Sequence, residues 1–328
     1  MISQDCCRSA VGRKLLAKDD ASSHVQVGGH HDVMRFEGAV ARKKLLKGDG
    51  EARNLEILAR HPLLRTFVPA FIRIDRRCAA STEITASTLG DDGHDWLVME
   101  NVCAGFALAA CMDLKIGTRT YGDSANAEKA ARLRRNTVGT TTESHGVRLV
   151  GARLPPSTEG GAVEFLGYAL TGRDHARNGA ELGSVVARFL RTPPLRRAAL
   201  ARVSELCAWF KTQREYAFFG SSLLLCYDST RGADAELRVA MIDFAHVRHC
   251  RGENESGGDV SAAAAMAAEV DMDTDAEAKG AGLDESFLFG LRSLRRILEG
   301  LAAEEEAAGR GEVKAEGSAA KRRCVAEQ

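Results

Sequence analysis

The sequence predicts an α+β fold with a small first part and a larger second part, on three observations. Alternating polar and apolar residues mark short strands, most clearly in "CMDLKIG" at 111–117. Apolar residues at three- and four-residue spacing mark helices, as in "LRRAALARVSELCAWF" at 195–210. A block of short strands and one helix over 23–102 precedes a mixed region over 103–300.

Bulk composition narrows the class of protein. The 328 residues carry 45 basic and 45 acidic side chains, a balance that argues against a nucleic-acid coat or a membrane-surface protein. The nine cysteines lack C-x-x-C spacing, which favours a reducing compartment, and no apolar run reaches the ~20 residues that span a bilayer. We expect a soluble cytoplasmic or nuclear monomer that binds neither nucleic acid nor membrane, with a transit peptide at the basic N-terminus as the alternative.

The first part is predicted in chain order as leader, strands, helix and strand. Residues 1–22 are polar and without periodicity, which predicts a flexible leader. The stretch "HVQVGGHHDVMRFEGAVARKKLL" at 24–46 is typical of short strands separated by glycine, and "GEARNLEILARHPLL" at 50–64 predicts a helix. "WLVMENV" at 96–102 starts apolar and ends polar, as a buried strand leaving a core does.

The second part alternates strands and helices. The strand at 111–117 is followed by a basic helix, "ANAEKAARLRRN" at 125–136, then by the strand "GVRLVGARL" and the helix "AELGSVVARFL". The segments "SSLLLCYD" and "VAMIDFAHV", joined by a polar turn, predict a hairpin.

Two segments near the C-terminus are predicted to lack a fixed structure. Residues 251–282 are acidic, rich in Ala and Gly and poor in large apolar side chains, which predicts a disordered insertion. The segment "DESFLFGLRSLRRILEGL" then predicts an amphipathic helix. Residues 301–328 are predicted to form a flexible tail.

The strand at 111–117 places Asp113 and Lys115 on one face and Met112, Leu114 and Ile116 on the other. The two charged residues therefore form either a surface ion pair or one wall of a site.

Asp243 ends an apolar strand, where a carboxylate is costly to bury unless it meets a cation or hydrogen-bond donors. In a phosphoryl-transfer site that cation is magnesium, while the alternative is an aspartate that caps a turn. Ser221 and Ser222 begin the strand expected to pair with this one, either as phosphate or metal neighbours or as plain turn formers.

Three features of the first part suit a nucleotide but also have ordinary structural explanations. The polar end of the strand at 96–102 can present backbone groups to a purine, and Gly28 and Gly29 can approach phosphates, although Gly-Gly also marks simple turns. A pair between Glu51 and either Lys43 or Lys44 would steady nucleotide phosphates, whereas a solvated face is the alternative.

The order and wording of these segments resemble the inositol polyphosphate kinase family, and most closely its inositol hexakisphosphate kinase branch. The resemblance runs from about residue 25 to about residue 298 and rests on "QVGGH", "VMENV", "DLKIGTR", "EKAARLRR", "SSLLLCYD", "MIDFAHV" and "FLFGLRSL". Ala109 departs from the family's proline four residues before the aspartate, and "YALTGRD" matches the family's substrate segment only in part.

The resemblance implies a two-lobed kinase-like fold, with an ATP-binding N-lobe at 23–102 that ends in a hinge and a C-lobe at 103–300. It implies ATP and Mg²⁺ as cofactors. The implied cofactor-binding residues are Glu100 and Val102 at adenine, Asp113 at the ribose, and Lys44, or Lys43 in the other register, at the ATP phosphates. The implied catalytic residues are Lys115 and Asp243, and the implied metal residues are Asp243 and the nearby Ser222.

The resemblance also implies a basic pocket for a phosphorylated inositol, because clustered phosphates require clustered cations. The candidate substrate-binding residues are Lys115, Arg119, Lys129, Arg132 and Arg173. The expected reaction converts inositol hexakisphosphate to a diphosphoinositol. The alternatives are a multikinase that phosphorylates ring hydroxyls and a catalytically silent inositol phosphate scaffold.

Overall fold

The computed structural model describes most of the region that the sequence predicts to be folded. The described residues are 26–27, 33–46, 48, 50–76, 94–156, 161–167, 171, 174–250 and 282–326. The predicted leader, Gly28, Gly29, Arg173 and residues 251–281 of the predicted insertion lie outside them.

The first part forms a four-stranded antiparallel sheet in the order β1-β2-β4-β3. Its strands are β1 Met34–Glu37, β2 Val40–Lys44, β3 Phe71–Asp75 and β4 Trp96–Glu100. Helix α1, Glu51–Leu58, lies between β2 and β3 and confirms the helix predicted there. It places Leu55 and Leu58 in the core with Leu97 of β4.

The second part is built on a five-stranded antiparallel sheet in the order β10-β9-β5-β6-β7. Its strands are β5 Ala109–Ile116, β6 Val147–Leu154, β7 Glu164–Leu166, β9 Ser222–Asp228 and β10 Arg238–Ile242. The pairing of β9 with β10 confirms the predicted hairpin. A two-stranded ribbon joins β8 Tyr216–Phe218 to β11 Val247–His249.

In the described part of the chain, five α-helices accompany this sheet: α2 Ala127–Arg135, α3 Thr141–His145, α4 Gly179–Phe189, α5 Pro193–Phe210 and α6 Glu285–Ala326. Helices α5 and α6 pack together through Phe210 and Phe287, whose rings stack with centroids 4.6 Å apart. Among the described residues, no helix combines the length and apolarity needed to cross a membrane.

Helix α6 differs from the sequence prediction at its C-terminal end. It continues to Ala326, into the range 301–328 where a flexible tail is predicted. The physical reason is composition, since this range is rich in Ala, Glu, Lys and Arg, the residues with the highest helix propensities.

Candidate active site

A cavity of about 410 Å³ lies between the two large sheets. Both parts of the chain contribute to its wall, from β1 and β2, from the segment after β4, from β5 and from the residues after β10. Eight candidate residues named from the sequence border it: Lys43, Lys44, Glu51, Glu100, Val102, Asp113, Lys115 and Asp243. The fold therefore gathers most of the predicted nucleotide-binding and catalytic residues on one cavity.

The hinge backbone at one end of the cavity is fixed by hydrogen bonds. The amides of Glu100 and Asn101 donate to the carbonyls of Ala70 and Ala39, both at 2.9 Å. The buried Asn101 side chain donates from Nδ2 to the carbonyl of Gly38 at 2.7 Å. Apolar side chains complete this part of the wall, including Met99, Leu224 and Ile242. A rigid polar edge beside an apolar slot suits a flat heteroaromatic ring.

Asp113 presents a buried acceptor to the cavity. The residue is 4% exposed, and its Oδ1 has no hydrogen-bond partner. Burial, reinforced by the negative charge of Asp243, raises the pKa of Asp113 to about 7, against the opposing effects of the nearby Ser222 hydroxyl, Lys115 and Lys43. A buried oxygen without a donor is costly, so this position suits a ligand that brings hydroxyl groups.

Lys43 connects the two lobes across the cavity. Its Nζ donates to Asp243 Oδ1 at 2.6 Å and lies 3.0 Å from Glu51 Oε1. Although burial opposes its charge, the two carboxylates raise the pKa of the Lys43 ammonium group above its ordinary value. Of the two lysines that the sequence leaves open, the structure thus pairs Lys43 with Glu51, while Lys44 also borders the cavity. Contact of either lysine with ATP phosphates stays a prediction.

Asp243 has a left-handed backbone, with φ of 66°, directly after β10. Three hydrogen bonds fix this conformation. Ser221 Oγ donates to the Asp243 carbonyl at 2.7 Å, the Phe244 amide donates to Glu51 Oε1 at 2.9 Å, and Asn54 Nδ2 donates to the Phe244 carbonyl at 2.7 Å. Strained backbone persists where the surroundings fix it in this way, and it is concentrated at functional sites.

The Asp243 carboxylate is suited to a divalent cation. Burial alone would raise its pKa, but the Lys43 ammonium outweighs that effect and lowers it, so the group is ionised at neutral pH. Protein atoms surround the group, but it lines the cavity, and 41% of the side-chain surface remains exposed. Within the described part of the chain no group of three or more His, Cys, Asp or Glu residues forms a metal centre. This donor set fits Mg²⁺, which takes one or two carboxylates and completes its shell with phosphates and water.

Ser222 is less accessible than its predicted role requires. It lies opposite Lys115 in the pairing of β5 with β9, is fully buried, and is not part of the cavity wall. Its place near a metal stays a prediction.

Arg119 lies at the edge of the cavity. Its NH2 donates to Asp123 Oδ1 at 2.6 Å and its Nε to the Tyr121 carbonyl at 3.0 Å. The guanidinium lies 4.1 Å from the ring centroid of Phe219, a residue that borders the cavity. Arg119 is therefore adjacent to the cavity without lining it.

Lys129 and Arg132 are exposed on α2, a helix without buried residues. The helix is linked to the Arg119 segment by Arg134, whose Nε donates to the Tyr121 hydroxyl at 2.6 Å. The structure thus places α2 beside the cavity edge, while the contacts of Lys129 and Arg132 with a substrate stay predictions.

Sequence reasoning missed two residues of this region. Asn54, three positions after Glu51 on α1, supports the backbone after Asp243, and that i, i+3 spacing is the signal that might have revealed it. Arg248, five residues after Asp243, binds the same Asp123 as Arg119, and only its proximity to "IDFAHV" marks it in the sequence.

The fold belongs to the two-lobed kinase-like α+β class, and comparison with known proteins identifies the family. A model of the inositol polyphosphate kinase family matches residues 96–299, more than half of the chain. The chain therefore belongs to the inositol polyphosphate kinase family.

The curated relatives bear two kinds of name. Mouse inositol hexakisphosphate kinase 3 is 29% identical over 178 residues, covering 48% of this chain and 43% of the relative. Rat inositol hexakisphosphate kinase 1 is 32% identical over 161 residues, covering 46% and 35%. Inositol polyphosphate multikinase alpha of Arabidopsis thaliana is 28% identical over 186 residues, covering 50% and 64%. The matches thus span about a third to two thirds of these relatives.

A solved structure supports the fold. The inositol phosphate multikinase of S. cerevisiae, crystallised with ADP and Mn²⁺, superposes with a TM-score of 0.57 at 18% identity. The superposition covers 80% of this chain and 98% of the yeast chain. At this identity the likeness is one of fold.

Proposed function

We propose that this protein transfers the γ-phosphoryl group of ATP to inositol hexakisphosphate and forms a diphosphoinositol. The observation that carries the proposal is the convergence of Lys43, Asp113, Lys115 and Asp243 on one cavity beside the hinge. Phosphoryl transfer depends mainly on positioning and on charge neutralisation, and these four side chains, two cations and two carboxylates, suit those tasks.

Each residue has a defined role in this proposal. The backbone of Glu100 and Val102 holds the adenine, and the Asp113 carboxylate accepts hydrogen bonds from the ribose hydroxyls. Lys43 exchanges part of its contact with Asp243 for the ATP phosphates. Lys115 contacts both the transferred phosphoryl group and the acceptor. A divalent cation, when bound, neutralises phosphate charge, and Asp243 is the residue that would hold it.

Two considerations, the names of the relatives and the chemistry of the acceptor, support this choice of acceptor. Two of the three relatives described above are named inositol hexakisphosphate kinases. A phosphate acceptor is already anionic, so its attack needs no strong general base. The second candidate, a multikinase that phosphorylates ring hydroxyls, is favoured by the Arabidopsis relative.

The test is an incubation of the purified protein with ATP, MgCl₂ or MnCl₂ and a panel from inositol trisphosphate to inositol hexakisphosphate. The products are resolved by anion-exchange chromatography. We expect a diphosphoinositol from inositol hexakisphosphate. New ring phosphates from the lower members alone would establish the multikinase instead. Binding without transfer across the panel would favour a scaffold.

A further inference from the structure

A pair of arginines shares one carboxylate at the edge of the cavity. Arg248 of β11 donates from Nε to Asp123 Oδ2 at 2.5 Å, and its NH2 donates to Oδ1 of the same carboxylate. Arg119 donates to that Oδ1 at 2.6 Å. The contact between Arg248 and Asp123 is bidentate, a geometry that fixes the plane of a guanidinium as well as its position. The Asp123 carboxylate thus binds both guanidiniums, and the buried Asp284 carboxylate also lies within electrostatic range of both arginines.

This arginine pair is packed against residues of the cavity wall. Both guanidiniums lie over the Phe219 ring, with Arg119 at 4.1 Å and Arg248 at 5.2 Å from its centroid. A Cβ on Gly122 would lie 3.0 Å from the side chain of His246. Phe219 and His246 both border the cavity, so the pair forms part of its rim.

The order of residues along β5 shows which end of the cavity this rim belongs to. Val102 of the hinge packs with Ala109 and Cys111 at the start of the strand. Lys115 lies near the other end, and the segment containing Arg119 and Asp123 follows directly after it. Along the cavity, the order is therefore the hinge, then Asp113, then Lys115, and then the arginine pair. The rim lies beyond Lys115, on the side away from the hinge.

We propose that Arg248, oriented by Asp123 beside Arg119, is a phosphate-binding residue of the acceptor site. The inference rests on the proposed function, and it deepens that function by requiring an acceptor with several phosphates. Asp123 fixes both guanidiniums at the rim of the cavity, and an acceptor with several phosphates requires clustered cations of this kind. Arg134, joined through Tyr121, adds a third arginine next to the pair. A purely structural cross-link between β11 and this segment needs only one arginine.

The test compares Arg248→Gln and Arg248→Lys with the wild type. The matched control is Arg177→Gln, because Arg177 is an exposed arginine just before α4 that also pairs with a carboxylate, that of Glu181 in α4. Isothermal titration calorimetry measures the dissociation constants of inositol hexakisphosphate and of ATP separately, without turnover. Thermal unfolding of each variant is recorded in parallel.

We expect Arg248→Gln to weaken binding of inositol hexakisphosphate by about 10-fold to 100-fold, the range for a lost charge-assisted contact. ATP binding should change less than about twofold, since ATP occupies the other side of Lys115. Arg248→Lys should show an intermediate loss, because it keeps the charge but not the bidentate geometry. Arg177→Gln should match the wild type.

Equal affinity of Arg248→Gln and wild type for inositol hexakisphosphate would overturn the proposal. Equal weakening of both ligands with a lowered melting temperature would also overturn it, in favour of a structural cross-link. If Arg248→Gln does not fold, the Arg248→Lys titration decides by the same criteria. If the wild type binds inositol hexakisphosphate but transfers no phosphate, the proposed function is refuted, while the assignment of Arg248 to the binding site is not affected. If the wild type phosphorylates inositol hexakisphosphate and the Arg248 variants bind it with unchanged affinity, the proposed function is supported and the subsite is refuted.

Discussion

At the scale of single residues, Asp243 shows how stability is exchanged for a positioned charge. A residue other than glycine at positive φ costs on the order of 1–3 kcal/mol, yet Ser221, Glu51 and Asn54 all stabilise the backbone there. The result is a carboxylate that meets Lys43 from the other sheet. A glycine would relieve the strain and lose the charge.

Replacement of Asp243 by asparagine should reduce transfer severely and preserve the fold. Asparagine tolerates the left-handed conformation better than most residues and keeps the volume of aspartate, but it removes the negative charge. We expect kcat to fall by about 10²–10³-fold, the range for loss of one electrostatic contact to the reacting group. Steady-state kinetics at several Mg²⁺ concentrations and circular dichroism provide the measurement. A folded variant with normal Mg²⁺ dependence would refute the metal role.

The free energy of unfolding of the protein should depend on pH through the ionisation of Asp284. Burial raises its pKa to about 6, although it accepts hydrogen bonds from the amides of Phe218 at 2.7 Å and Phe287 at 3.0 Å. The folded-state pKa exceeds the ordinary value of 3.8, so this stabilisation is complete at low pH and is lost as the pH rises through about 6.

The unfolding free energy of the wild type should therefore fall relative to that of Asp284→Asn as the pH rises from about 4 to about 6, by at most about 3 kcal/mol. Urea denaturation of both proteins at pH 4, 5, 6 and 7 measures it. Parallel stability curves across this window would contradict the expected titration.

Individual residues were predictable from the sequence where their own strand or turn carried the signal. Asp113 and Lys115 follow from strand alternation, and Asp243 follows from its position at the end of an apolar run. The choice of Lys43 over Lys44 as partner of Glu51 was not predictable, because it depends on the register of β2. The contact of Lys43 with Asp243 joins residues 200 positions apart, and no local pattern reports it.

At the scale of elements, helix α6 and the end of β5 meet without space for side chains. A Cβ on Gly290 of α6 would lie 2.2 Å from the Gly146 carbonyl and 3.0 Å from the Gly117 amide. Ser286 of the same helix accepts hydrogen bonds from the amides of Thr118 and Arg119 at 2.9 and 3.1 Å. The first turns of α6 therefore position the segment that follows Lys115.

Gly290→Ala should destabilise the protein, and Gly300→Ala should not. The added methyl at 290 meets backbone atoms that cannot yield without moving α6, which we expect to cost about 1–3 kcal/mol. Gly300 lies in the same helix with nothing within 4 Å of an added Cβ, so alanine there should be neutral or stabilising by up to about 1 kcal/mol. Chemical denaturation measures both. Equal stability of the two variants would show that the junction is loosely packed.

Helix α2 offers a second test at this scale, of its predicted role in inositol binding. Lys129 and Arg132 lie three positions apart and share one helical face. If they line the pocket, replacing both with alanine should raise KM for the inositol phosphate far more than KM for ATP, because each lost contact costs about 1.5–3 kcal/mol. A solvated basic face predicts two unchanged constants, and Arg177→Ala supplies the baseline for loss of an exposed charge.

Elements with strong periodicity were predictable, and their ends were not. The 3.6-residue pattern located α1 and α5, and the paired apolar strands with a polar turn located the β9–β10 hairpin. The continuation of α6 past residue 301 has no apolar periodicity and follows from helix propensity alone.

At the scale of the whole molecule, the two lobes share one core. Phe67, between α1 and β3, accepts a hydrogen bond from the Met241 amide of β10 at 2.5 Å, and its ring lies 3.6 Å from the Arg202 guanidinium of α5. The ring of His61 meets that of Trp209 edge-on, at 5.4 Å. These contacts join the first sheet to the second part of the chain and should make the lobes unfold together.

The sequence has one tryptophan in each lobe, so this cooperativity can be measured directly together with nucleotide binding. Trp96 lies in β4 and Trp209 in α5. Trp96→Phe and Trp209→Phe variants each report one lobe by fluorescence, and we expect both probes to show the same melting temperature. ATP at 100 times its dissociation constant should stabilise the native state by about 2.7 kcal/mol, which for a chain of this size raises the melting temperature by roughly 5 °C. Because the cavity wall comes from both lobes, the two probes should shift together.

Asp113→Asn should separate the stability of the protein from its response to ATP. The raised pKa of Asp113 means that its charge is unfavourable in the free protein, so the variant should melt at the same temperature as wild type or higher. It should also lose most of the shift caused by ATP, because an amide replaces the carboxylate that accepts from the ribose. A variant that melts lower than wild type yet retains the full ATP shift would contradict the role of Asp113. Tryptophan probes that melt at different temperatures would contradict the shared core.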